Sequence, residues 1–74
     1  MQVGDKYRYK HNGTVCEITL VSDKDFIDKG HGEYFLKQFY KHCNDYVPAY
    51  DHKSMTFKMV STNFLSQYGV KISE

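Results

Sequence analysis

The chain reads as a small α+β domain, mainly β: a roll of short strands opened by an N-terminal β-hairpin and interrupted by one inserted helix. Three observations lead there. Residues 6 to 19 alternate in side-chain character on either side of an Asn-Gly pair, residues 33 to 47 switch to a three- and four-residue apolar period, and residues 54 to 60 return to strict alternation. A period of two marks a strand and a period near 3.6 a helix.

The hairpin comes first. Asn12-Gly13 suits a two-residue type I′ turn, because both central positions need positive φ. With His11 and Thr14 at the corners, Lys10 faces Val15, Tyr9 faces Cys16, Arg8 faces Glu17, Tyr7 faces Ile18 and Lys6 faces Thr19. Alternation then puts Tyr7, Tyr9, Cys16 and Ile18 on one face, and Lys6, Arg8, Lys10, Glu17 and Thr19 on the other. Arg8 across from Glu17 is an opposite-charge pair of the kind that stabilises a sheet by tenths of a kcal/mol.

Beyond the hairpin, Ser22-Asp23-Lys24-Asp25 reads as a turn, since Ser and Asp hydrogen-bond the local backbone. Phe26 and Ile27 then suggest a short strand, ended by Gly30 and Gly32, which would complete a three-stranded meander. In residues 33 to 47, Leu36, Phe39, Cys43 and Val47 form an amphipathic helical stripe, with Lys37, Gln38 and Lys41 off it. Glu33 suits the helix start, and Asn44-Asp45 with Pro48 supply a stop. "DYVPAYDHK", residues 45 to 53, reads as exposed loop. The alternation that follows sets Met55, Phe57 and Met59 against Thr56, Lys58 and Val60, a half-buried strand. Ser61, Thr62 or Asn63 caps a helical turn carrying Phe64, Leu65 and Tyr68, with Gly69 ending it. "VKI" is a closing strand.

Seventy-four residues make a single domain, residues 1 to 74. A chain of this size buries only roughly 60% of the surface its unfolded form exposes, so its core is thin. Such a domain more readily presents a surface to a larger partner than encloses a substrate. Ten Lys and Arg against nine Asp and Glu leave a net charge of +1, without the positive excess of a general phosphate binder. The balance points to a protein partner. The two cysteines stand in no spacing motif, and neither a secretory signal nor an apolar run long enough for a membrane span is present, so a reduced, cytoplasmic protein is expected.

"VGDKYRYKHNGTVCEI" resembles the opening of small SH3-like barrels: a Val-Gly-Asp entry, a strand, a Gly-bearing turn and a second strand. "STNFLSQYGVKI" resembles their last helical turn and closing strand. Residues 31 to 53, between these two pieces, depart from that layout, and a helix there counts as an insertion. Size, composition and opening also resemble the small accessory proteins of tailed bacteriophages. That resemblance implies a stoichiometric modulator or inhibitor that acts in the host cytoplasm by occluding a host protein.

Chemistry is sparse. His11, Cys16, His31, His42, Cys43 and His52 could ligate a metal, but none forms the close pairs that structural zinc uses, and no metal or other cofactor is expected. Both cysteines fall on apolar faces, where Cys behaves as a small hydrophobe. "KGHGEY", residues 29 to 34, places two glycines before a helix start, yet Glu33 occupies the spot an anion would take. No catalytic residue is assigned, and the chain is expected not to be an enzyme. The candidate partner-binding residues are Tyr40, Tyr46 and Tyr50 as anchors, with Lys37 and Lys41 as charged contacts, because exposed tyrosines beside a proline suit an interface. The alternative is a nucleic-acid-binding module using Lys6, Arg8 and Lys10. The hairpin argues against it, since its aromatics and its cations lie on opposite faces and stacking platforms need both on one.

Overall fold

The computed structural model describes residues 2–72. In chain order the elements are β1 (Lys6–His11), β2 (Thr14–Leu20), α1 (Asp23–Phe26), a π-helical turn (Ile27–His31), α2 (Glu33–His42), β3 (Tyr46–Asp51), β4 (Thr56–Ser61), α3 (Thr62–Tyr68) and β5 (Val70–Lys71). All strands join one antiparallel sheet in the order β4-β3-β2-β1-β5. The domain is therefore mixed α+β and mainly β.

The hairpin has the register read from the sequence at every pair, from His11↔Thr14 to Lys6↔Thr19. Asn12 and Gly13 both have positive φ, 52° and 77°, as the type I′ turn requires. The larger core lies on one sheet face, where Tyr9, Ile18, Leu20, Ala49 and Val60 are buried and Leu65 of α3 closes it from above, while Phe26 and Leu36 of the helices are buried outside this cluster. Tyr7, Cys16, Val47 and Phe64 pack around this cluster, Phe64 meeting Tyr9 edge-on at 5.3 Å.

Ser61 caps α3, its Oγ accepting the Phe64 N–H at 3.2 Å. Asp45 ties the same corner, accepting from the Ser61 hydroxyl at 3.1 Å and from Asn63 Nδ2 at 3.2 Å. Gly69 ends the helix, where any Cβ would meet the Leu65 carbonyl oxygen at 2.8 Å. The helix is two turns long rather than one.

Four expectations are corrected. Phe26 and Ile27 are helical: Ser22 caps α1 by accepting the Asp25 N–H at 3.1 Å, and the chain continues through the π turn into α2. The inserted segment is thus three helical pieces, and the third strand of the meander is β3. The second helix stops at His42, because Cys43 turns extended (φ −136°), so Val47 belongs to a strand. Residues 46 to 51, read as loop, form that strand in the interior of the sheet. Pro48 is tolerated there because its carbonyl accepts from Val21 N. Its nitrogen faces the same way but carries no hydrogen, so of the two bonds a Val21–Pro48 pair could exchange only this one forms, just past the last β2 pair, Leu20↔Ala49.

The fourth correction concerns β4. Ala49↔Lys58 and Val47↔Val60 place Lys58 and Val60 on the core face, so Phe57 and Met59 point outward, and Met55 in the preceding turn is 73% exposed. On that face the half-exposed Lys58 meets a buried carboxylate. Asp51, only 4% exposed, holds Lys58 Nζ at 2.7 Å and accepts the N–H groups of Lys53 at 2.8 Å and Ser54 at 3.2 Å.

Candidate functional site

Two surfaces gather the residues the sequence singled out. The first is a groove of about 470 Å³ at the end of the sheet where β2 stops and β3 begins. Leu20, Val21, Val47 and Pro48 give it an apolar floor; Val3, Asp23, Lys24 and Tyr40 stand at its rim. The rim is built by three local devices. The turn at residues 2 to 5 is pinned by Gly4 N–H to the Leu20 carbonyl at 2.8 Å and by Gln2 N–H to Asp5 Oδ2 at 2.9 Å. The Ser22 cap sets the start of α1. The Tyr40 hydroxyl then donates to Asp23 Oδ1 at 2.8 Å, fastening α2 to α1.

Partial burial, and after it the hydrogen bond and charge of Asp23, push the Tyr40 phenol up to about 12. The ring therefore stays neutral at any physiological pH. Lys37 and Lys41 fall within a helical turn of Tyr40 on α2, and both are exposed. Lys37 makes a solvent-facing pair with Glu33 at 3.2 Å, and Lys24 one with Asp28 at 3.3 Å. Such pairs are weak and exchange readily for a partner's carboxylate.

Tyr46 and Tyr50 lie elsewhere. Both sit on the outer face of β3, opposite to the core, and both are half-buried. Tyr46 is covered by Phe39 of α2 at 5.2 Å, the end of a run of ring contacts through Phe35 to Phe26. Tyr50 belongs to the second surface. Of the five candidate partner-binding residues, Tyr40 lines the groove, Lys37 and Lys41 share its helix, and the two β3 tyrosines stand apart.

That second surface is the outer face of the sheet. Lys6, Arg8 and Lys10 point outward from β1, with Arg8 Nε and Nη2 donating to Glu17 Oε2 at 3.1 and 3.0 Å. Across β2, the pairings Lys6↔Thr19, Thr19↔Tyr50 and Tyr50↔Phe57 form one continuous row over four strands. Tyr50 meets Phe57 edge-on at 4.9 Å and His52 at 5.0 Å; His52 Nε2 also hydrogen-bonds Thr19 Oγ1 at 2.6 Å. Within the hairpin, cations and aromatics are on opposite faces as read. The neighbouring strands nevertheless supply other aromatics to the cationic side.

Exposed apolar side chains that the sequence does not mark as exposed include Tyr34, Tyr68 and Val70, at 76%, 63% and 63% exposure. Position at an element's end exposes them, and alternation carries no signal of that. Among the described residues, no three His, Cys, Asp or Glu side chains are grouped to hold a metal ion, both cysteines are free thiols, and no helix is long and apolar enough to cross a membrane. Comparison with protein-family models, with curated proteins and with solved structures finds no match to the chain.

Proposed function

We propose that this chain is a non-enzymatic protein-binding domain that occludes a surface of a larger protein. The observation that carries the reading is the groove, apolar at its floor and edged by Lys24 and by Tyr40, whose helix α2 also carries the exposed Lys37 and Lys41. It suits an apolar side chain of the partner with carboxylates on either side of it. Tyr40 contributes a ring wall held in place by Asp23, so little rotamer freedom is lost on binding, which is the economy that interface tyrosines provide.

The finer fold reading is an SH3-like barrel. Its support is the strand order β5-β1-β2-β3-β4, with the helical segment α3 between β4 and β5, against the layout named above. The phage-type role, a modulator or inhibitor of a host protein in the cytoplasm, goes with that reading and with the size of the chain.

The test is retention of a protein from nuclease-treated bacterial lysate on the tagged domain, compared with two variants. Val3→Glu puts a charge on the rim, at a position 65% exposed. Lys37→Glu/Lys41→Glu reverses the flanking charge. A discrete band lost with both variants supports the reading. A band indifferent to both, or none at all, overturns it.

A further inference from the structure

We propose that the outer sheet face is a second binding site, and that its ligand is single-stranded nucleic acid. A strand-binding surface needs cations that track the phosphates and aromatic rings on which bases stack, both on one face. Here β1 supplies Lys6, Arg8 and Lys10 in a line, every second residue, and all three are exposed. β3 and β4 supply Tyr50 and Phe57, half-buried and in mutual contact, with the exposed ring of His52 beside them.

The gap between the two lines is one strand. Adjacent strands lie about 4.8 Å apart, so β1 and β3 are separated by about 10 Å. That spacing lets a backbone run along β1 while its sugars and bases reach across β2 to the rings. What lies in the gap does not obstruct: Val15 and Thr19 are small, and Glu17 is held down by Arg8. Glu17 is the one carboxylate that alternation puts on this part of the face, so the surface is cationic although the chain as a whole carries only +1.

Duplex nucleic acid fits less well, because its bases are stacked and paired and offer nothing to Tyr50 or Phe57. The face is therefore selective for unpaired strands. It is separate from the groove, and a chain with both surfaces engages a protein and a strand independently.

The probe is a fluorescently labelled oligothymidylate of about 15 nucleotides, read by anisotropy against the intact chain, with a duplex of equal length as control. With three cations contributing, log affinity falls against log salt with a slope of about −2. Lys10→Glu makes that slope shallower and weakens binding. Tyr50→Leu and Phe57→Leu keep apolar bulk in the sheet but remove the ring; each lowers affinity by about 5- to 150-fold at unchanged salt slope, the range that loss of one stacked base produces. Thermal melts of every variant establish that the sheet is intact. Absence of binding at about 50 mM salt, equal affinity for the duplex, or indifference to both ring variants overturns the proposal. Val3→Glu leaves oligonucleotide binding unchanged, which keeps this outcome distinct from that of the groove.

Discussion

Replacing Asp51 tests the internal ion pair and with it the orientation of β4. The carboxylate is 4% exposed and accepts three hydrogen bonds, from Lys58 Nζ, Lys53 N–H and Ser54 N–H. Asp51→Ala leaves two backbone donors in the β3–β4 turn without their acceptor and a Lys side chain aimed into the core face. Breaking a buried pair from one side costs about 3–5 kcal/mol, and the Lys58 side chain is 40% exposed and can turn to water, so the lower end, about 3 kcal/mol, is expected. For a domain of this size that lowers Tm by about 12–24 °C. Asp51→Asn keeps an acceptor for the two backbone donors and loses only the charge, so it costs about 1–2 kcal/mol. Urea unfolding followed by tyrosine fluorescence measures both, the chain having seven Tyr and no Trp. A pH series adds a sign. Burial acts most strongly on the Asp51 carboxyl and pushes it up; the bonds from Lys58, Ser54 and Lys53 together outweigh burial and hold it below the ordinary carboxylate value. The stabilisation is therefore complete above the unfolded value of about 3.9 and is lost as pH falls through the lower folded one. The gap between wild type and Asp51→Asn stays constant from about pH 5 to 8 and closes in acid. An Asp51→Ala protein within about 1 kcal/mol of wild type, or no difference between the two variants, refutes the assignment.

Other perturbations have expected outcomes of their own. Met55 has φ 59° and is 73% exposed, so Met55→Gly relieves left-handed strain and raises stability by about 0.5–1 kcal/mol in urea melts. Gly69→Ala forces a Cβ to 2.8 Å from the Leu65 carbonyl oxygen and lowers stability by about 1–3 kcal/mol, measured the same way. Ser61→Ala removes the α3 cap and one partner of Asp45, for a loss of about 1 kcal/mol. In a spectrophotometric alkaline titration, Tyr40 ionises at about 12, and Tyr40→Phe deletes that late step. Because an unfolded tyrosine ionises near 10, stability from this group is whole below that pH and declines as pH rises towards 12.

Local chemistry was legible and tertiary choice was not. Asn12-Gly13 is a turn whatever surrounds it, so the hairpin register followed at every pair. Ser61 and Gly69 bracket α3 by capping, again a local matter. The helical insertion carried a readable signal that a turn reading obscured: Ser22 with Asp25 three residues on, ahead of an apolar pair, has the spacing of a helix N-terminus. Tyr46–Asp51 was less accessible. Its Pro48 fits in a sheet because Val21, one residue past the last β2 pair, needs only its carbonyl, a fact of pairing that no window of β3 contains. For the same reason, the candidate tyrosines divided: Tyr40 went to the groove on a helix, and Tyr46 and Tyr50 to a strand face.

The β4 orientation links these points. Hydrophobic alternation alone would turn Phe57 and Met59 inward and Lys58 out, and a one-residue slip exchanges the two faces of a strand. Val60, Leu65 and Ala49 already fill the core side. Asp51, fixed on that side by its pairing with Ile18, supplies a fixed acceptor that only Lys58 on the same face can reach. The buried carboxylate, with the half-exposed Lys58 that reaches it, thus selects the register against the apolar pattern. Its consequence is on the opposite side of the sheet, where Phe57 joins Tyr50 on the face that β1 makes cationic. Lys58→Met weakens that selection: the aromatic row, and whatever binds it, then depends on β4 keeping a register that no charge enforces.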